Sequence, residues 1–356
     1  MSDRQRIEAI LHREKPDRVP IWPWYSVSLA TNHYGASIAD GYNNPKVSLD
    51  AQRKAAKDFG WVAALWIGYA EWGGWEFGGD IKWPSGEFQQ APTVTRYPVE
   101  TAEDVWNLKV PDPVQDHGIA PIQAEFYRLA TTTPPLADNE PFRVYVTVGW
   151  PFTIAGNICG IQNLIKWTYK HPDAVHRLCR LATDYNKKIV KHWMDLYGTK
   201  VILPETAEAS ASNDLISPKH FEEFVLPYLK EETEYVRSLG FKHLFCHICG
   251  DQNGNLPHWA QVPLGDPGII SISQQVDVEM AAEYLPSHVI LGNMEPSLIQ
   301  VETPAKVYEE TAKLVERGKK IPGGYIFAPG CAFGPSTPEE NVLAVTRAVE
   351  DHGWYD

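Results

Sequence analysis

Short runs of apolar, β-branched and aromatic residues recur along the chain, and each is separated from the next by a helical pattern or a loop. They are DRVPIW (17–22), WVAALWI (61–67), RVYVTV (143–148), KVILP (200–204), HLFCHI (243–248), GIISIS (268–273), HVILG (288–292) and GYIFAP (324–329). Most are nearly continuous in apolar residues, as strands covered on both faces of a parallel sheet are. Amphipathic helix patterns over 3–13, 47–58, 172–197, 218–239, 278–285, 303–319 and 338–351 fall between them. Ser217–Pro218 and Thr337–Pro338 read as an N-cap followed by a first-turn proline, and Gly198 and Gly240 stand where helices stop. Eight strands alternating with helices predict an α/β fold, a single (β/α)8 TIM barrel over residues 1–356, with 70–141 as an irregular insertion after the second strand. A doubly wound open sheet is the competing topology. No G-x-G-x-x-G follows an early strand, and GGWEFGGD (73–80) lacks the strand-to-helix setting a phosphate loop needs.

The fifth run carries a concentration of ligating side chains. In HLFCHIC, strand alternation sends His247 and Cys249 to one face and Cys246 to the other. Both sit at the C-terminal end of their strand, the end where barrels of this kind build active sites. GCAFGPSTP follows the eighth run and places Cys331 at the same rim. One histidine and two thiolates suit Zn2+, and three protein ligands with a fourth position open is the arrangement of a catalytic zinc. The competing reading is that these are ordinary buried residues, since cysteine often packs as a small hydrophobe. Five cysteines, an odd number in a large chain, do not form a disulfide framework.

A formal net charge of -13 argues against a nucleic-acid or anionic-membrane partner. No apolar run approaches the roughly 20 residues that cross a bilayer, and MSDRQRIEAILHREKPDR reads as a charged helix rather than a signal peptide. A cytoplasmic location is the expectation. Oligomeric state is not legible.

The order of motifs resembles the uroporphyrinogen decarboxylase superfamily: RVP before an apolar strand, SPKHFEEFVLPYLKEE (217–232), HICG (247–250), VILGNMEP (289–296), GGYIFAPGC (323–331) and PSTPEENV (335–342). Within it, the HICG and GC pair looks like the cobalamin-dependent methyltransferase branch. That resemblance implies His247, Cys249 and Cys331 as zinc ligands, and a corrinoid as the methyl carrier. No D-x-H-x-x-G occurs, so the corrinoid is expected on a separate protein. Two departures matter. The Arg-containing segment that decarboxylases carry after the first strand is replaced by PWYSVSLATNHYG (23–35), which argues against porphyrinogen decarboxylation, and Ser273 stands where several relatives place a metal-proximal Glu.

Two reactions are open to such a site: activation of a thiol, as a methylcobamide:thiol methyltransferase with a coenzyme M-like acceptor would do, or activation of a methyl ether as donor. The first two strands and the loops after them supply Trp22, Tyr25, Trp66 and Trp72, Trp150 follows the third, and basic residues are sparse there. An aromatic, cation-poor pocket favours a guaiacol- or veratrole-like aryl methyl ether whose methyl passes to Co(I). Core packing is the competing role for these aromatics. Glu205 and Glu208, after the fourth strand, are the candidate acids, and Asn293 and Glu295 are candidate substrate contacts; capping and turn roles compete for all four.

Overall fold

A computed structural model describes residues 1–63, 65–86, 88–89, 91–113, 118–136 and 139–355. Ala64, within the second apolar run, lies outside the described residues. Strands β1 (Asp80–Lys82) and β2 (Thr93–Arg96) form an antiparallel hairpin inside the insertion. The next six, β3 (Val144–Thr147), β4 (Ile202–Glu208), β5 (Phe245–Ile248), β6 (Ile269–Ile272), β7 (Val289–Met294) and β8 (Tyr325–Pro329), are all parallel and pair in sequence order. Every residue in them is buried, the polar Glu205, Glu208, His247, Ser271 and Asn293 along with the apolar majority.

The first two predicted strands take barrel positions without becoming regular strands. Ile21 bridges Phe327 of β8 in parallel, with Trp22 N–H donating to Phe327 O at 2.9 Å and Phe327 N–H to Pro20 O at 3.0 Å. Val62 N–H in turn donates to Ile21 O at 2.9 Å. Longer ladders are blocked by chemistry. Pro20 and Pro23 lack an N–H, and the backbone of Trp66 is occupied by the Gln52 side chain through two bonds of 2.9 and 2.8 Å.

Among the predicted helices, 172–197 is found as Pro172–Tyr197, closed by Gly198 at φ 75° with its N–H on Met194 O. The 218–239 pattern is two helices, Pro218–Phe224 and Leu226–Ser238, because Pro227 has no N–H to bond back into the preceding turn. Ser217 caps the first of them. Thr337 is not a cap: its hydroxyl donates to Gly334 O, and the helix Glu339–His352 starts after Pro338. Helices Val27–Tyr34, Ile38–Asn43, Ala120–Thr132, Pro151–Cys159 and Ile161–Lys170 were not anticipated. The fourth of these shows why: eight of its nine residues are buried, so it has no polar face to set a helical period.

One apolar core runs from Ile7 to Val349. Inside the barrel the Trp22 ring packs against Tyr145 and Phe245, with centroids 6.0 and 5.9 Å away. The end of the insertion is tied down by Glu140, whose buried carboxylate accepts from Arg53 at 2.6 and 3.1 Å and lies 3.2 Å from Arg143 Nε. Replacing Glu140 with Ala strands the Arg53 guanidinium, while Arg143 keeps the carbonyls of Ala130 and Thr133, and is expected to cost about 3 kcal/mol. Urea titration checks this as a lowered midpoint with an unchanged slope.

Candidate metal centre and substrate cavity

Parallel register places the site. Ala207 of β4 pairs with His247 of β5, which pairs with Ser271 of β6, so the three face the barrel interior at one level. Cys249 continues the inward alternation one turn of the pleat beyond His247. Cys331 arrives from two residues past β8, where Gly330 N–H is fixed on Met294 O at 2.7 Å. The ligand atoms of His247, Cys249 and Cys331 all lie within 4.8 Å of one another. Cys246 pairs with Thr206 on the outward side and is fully buried, away from this group.

The His247 ring is held by its surroundings. Its Nδ1 is 2.9 Å from Ser271 Oγ, which also accepts from Trp24 Nε1 at 3.0 Å, and the Trp24 ring lies 4.7 Å from the imidazole. His247 Nε2 is buried with no partner in the protein. A serine oxygen has two lone pairs and can accept from both rings. Nδ1 then carries the proton, and the Nε2 lone pair is free toward the two sulfurs. The hydrogen bond with Cys249, reinforced by His247, holds the Cys331 thiol well below the ordinary range in spite of burial. The same bond pushes Cys249 far up. Physically, the two sulfurs share one proton: the first ionisation is easy and the second is hard until a cation arrives. Two sulfurs and an unpartnered imidazole nitrogen fit Zn2+.

Beside these residues is a cavity of about 210 Å³ lined by Trp24, Tyr25, Tyr42, Trp150, His247, Cys249, Cys331 and five alanines, Ala70, Ala91, Ala207, Ala209 and Ala332. No Lys or Arg lines it among the described residues. Of the aromatics singled out in sequence, Tyr25 and Trp150 reach the cavity, and Trp66 backs Tyr25 with centroids 3.9 Å apart. Trp22 is barrel core. Trp72 packs on Tyr185 of helix Pro172–Tyr197 at 5.8 Å, where it docks the insertion. Tyr42 was missed because its helix was missed; Ser271 was visible only as the one polar residue in an apolar strand, IISI.

The two carboxylates of β4 face opposite ways. Glu208 points outward and caps helix Pro151–Cys159, accepting from Phe152 N–H, Thr153 N–H and Thr153 Oγ1 at 3.0, 3.0 and 2.7 Å. Burial lifts it to about 7 against those three donors. Glu205 points inward, one inward position below Ala207 and roughly 7 Å down the strand. Neither of its oxygens makes a well-formed hydrogen bond, and burial pushes it up to about 8 against the weak pull of the neighbouring Thr147 and Trp150 side chains. Asn293 faces inward but spends its amide on Ser273 O and Val276 O at 2.8 and 2.6 Å. Glu295 is exposed and accepts from the Ser297 hydroxyl.

A model of the uroporphyrinogen decarboxylase (URO-D) family matches residues 2–352. A methylated-thiol–coenzyme M methyltransferase of Methanosarcina mazei is 31% identical over 204 residues, which are 56% of this chain and 51% of that protein; the match therefore spans about half of that relative's length. A uroporphyrinogen decarboxylase of Anaeromyxobacter dehalogenans is 26% identical over 98% of this chain and 99% of its own. A methylcobamide:CoM methyltransferase of Methanosarcina acetivorans is 23% identical over 78% and 76%. The solved structure of a methyltransferase from M. mazei superposes with a TM-score of 0.79 over 99% of both chains at 22% identity, a shared fold. No helix among the described residues is long and apolar enough to cross a membrane.

Two outcomes follow from this geometry. Ser271→Ala is expected to loosen zinc by about 10- to 100-fold without abolishing binding, measured by competition with a chromogenic chelator. Glu205 holds its proton more tightly folded than at its ordinary value of 4.5, so its burial is tolerated at low pH and costs stability as pH rises toward about 8. Glu205→Gln should therefore gain on the wild type as pH rises from 5 to 8, read from unfolding midpoints at each pH.

Proposed function

The chain belongs to the uroporphyrinogen decarboxylase family, and within it we propose a zinc-dependent methyltransferase, residues 1–356 forming one catalytic domain, that exchanges a methyl group with the corrinoid of a separate protein. The observation that carries this reading is the His247, Cys249 and Cys331 group facing a cavity at the C-terminal rim of the barrel. A tetrapyrrole with several carboxylates is a poor fit to about 210 Å³ without a lining cation.

For the donor we propose a small aryl methyl ether such as guaiacol or veratrole. Trp24, Tyr25 and Trp150 offer ring faces, and the alanines leave room for a ring. His247, Cys249 and Cys331 would hold the zinc, which when bound supplies Lewis acidity next to the ether oxygen. Glu205, protonated at neutral pH because burial lifts it to about 8, holds the proton that the departing oxygen takes up. The methyl–oxygen bond breaks with its electron pair left on oxygen, Co(I) on the partner takes the methyl, and the Glu205 proton makes the product a phenol. Glu208 serves as the cap that sets Trp150 and the helix behind it. Glu295 and Asn293 support the rim and are given no contact with substrate.

The second reading is methyl transfer from the corrinoid to a thiol. The names of the M. mazei and M. acetivorans relatives favour it over the ether. In that case the apolar wall suits an uncharged thiol better than an anionic one.

Metal analysis should give about one zinc per chain, lost in Cys249→Ala and Cys331→Ala and kept in Cys246→Ala; metal-free wild type would sink the proposal. Incubation with Co(I) corrinoid protein and guaiacol should convert the Co(I) spectrum to that of the methylated form. Methyl transfer seen only from methylcobalamin to a thiol would favour the second reading. Glu205→Gln is expected to lower kcat by about 10²- to 10⁴-fold, and wild-type kcat should fall as pH rises through about 8.

A further inference from the structure

The ligating residues differ in how the backbone holds them. His247 lies within β5, but Cys249 is one residue beyond Ile248, the last residue of that strand to pair with β4 or β6. The chain leaves the sheet there: Gly250 has φ 71°, and a Cβ on it would stand 2.7 Å from Ser212 Cβ. The ladders that fix His247 therefore do not reach the peptide joining Cys249 to Gly250.

A side chain holds that peptide instead. Gln252 Nε2 donates to Cys249 O at 3.0 Å. The direction of this amide is unambiguous. Its Oε1 accepts from Trp259 Nε1 and Asn255 Nδ2, both at 2.9 Å, and an indole N–H can only donate, so the NH2 end faces Cys249. Gln252, Asn255 and Trp259 are all fully buried, so these bonds are made out of reach of bulk water. Both ends of the peptide are engaged: its C=O by Gln252, and its N–H, on Gly250, by Cys249 Sγ. Turning the peptide changes the direction in which Cys249 presents its sulfur to His247 and Cys331.

The competing role is loop closure. That is already supplied by Asn255 Nδ2 on Ala211 O at 2.9 Å and by Asn213 N–H on Asp251 O at 2.6 Å, which join the loops after β4 and β5. What Gln252 adds is the grip on Cys249.

We infer that Gln252 is a positioning residue for the metal centre: by holding the Cys249 carbonyl it keeps the Cys249 sulfur aimed at the ion. This rests on the zinc reading of the three ligands and is independent of which methyl donor or acceptor the enzyme takes.

The test compares wild type with Gln252→Met, which keeps the length of the side chain and removes the amide. Zinc affinity is measured by competition with a chromogenic chelator, and site geometry by the absorption spectrum of the Co2+-loaded protein. Gln252→Met should bind zinc about 10- to 100-fold more weakly, with reduced thiolate-to-cobalt charge-transfer absorption. Glu140→Ala, destabilised through its Arg53 ion pair, should match wild type in both readouts. A folded Gln252→Met protein with zinc affinity within about twofold of wild type and an unchanged cobalt spectrum overturns the inference. If that variant does not fold, Trp259→Phe decides, since it keeps a ring and removes one of the two bonds that orient Gln252. Zinc binding at least about 3-fold weaker is then expected, and a smaller change overturns the inference. The two claims fail separately: wild type that takes up no zinc removes the metal reading, whereas zinc-loaded wild type beside an unaffected Gln252→Met removes only the part given to Gln252.

Discussion

The parallel register of β4, β5 and β6 is the constraint on which the site depends. It brings Ala207, His247 and Ser271 side by side on the inner face, and a slip of one residue would turn all three into the helix layer. Cys249 inherits its direction from that alternation. Cys331 comes from a different strand end, so the three side chains meet only once β5 to β8 have paired in order. Closure itself rests on a few bonds between Pro20, Ile21, Trp22, Val62 and Phe327, backed by the ring packing of Trp22 in the interior.

β4 also shows how one strand assigns two carboxylates to different work. Glu208 faces outward and is fully bonded to a helix N-terminus, where a negative end is favoured. Glu205 faces inward with only weak contacts from Thr147 and Trp150, and burial lifts it to about 8. A neutral acid under an apolar cavity is a costly feature for stability, and such costs gather where chemistry is done.

Much of this was readable in the sequence. Six of the eight runs become parallel strands because strands buried on both faces leave a nearly continuous hydrophobic signature, and the period of two was enough to separate Cys249 from Cys246. What escaped has identifiable causes. Prolines around Ile21 and the Gln52 clasp on Trp66 suppress two ladders without changing the local apolar pattern. Helix Pro151–Cys159 is too buried to be periodic. Glu208 and Glu205 look alike in sequence, and only the direction of each side chain gives the cap to one and the interior to the other. Ser271 bonds His247 across 24 positions, a pairing set by register and by no local motif.

The account stands on three side chains from two strand ends acting as one metal site. Zinc-edge X-ray absorption of the purified protein tests this most directly. A shell of two sulfurs at about 2.3 Å with nitrogen or oxygen neighbours at about 2.0–2.1 Å is predicted, with only the light-atom shell changing when a methoxyphenol is added. Zinc without a sulfur shell, or a spectrum with four sulfurs, would contradict it.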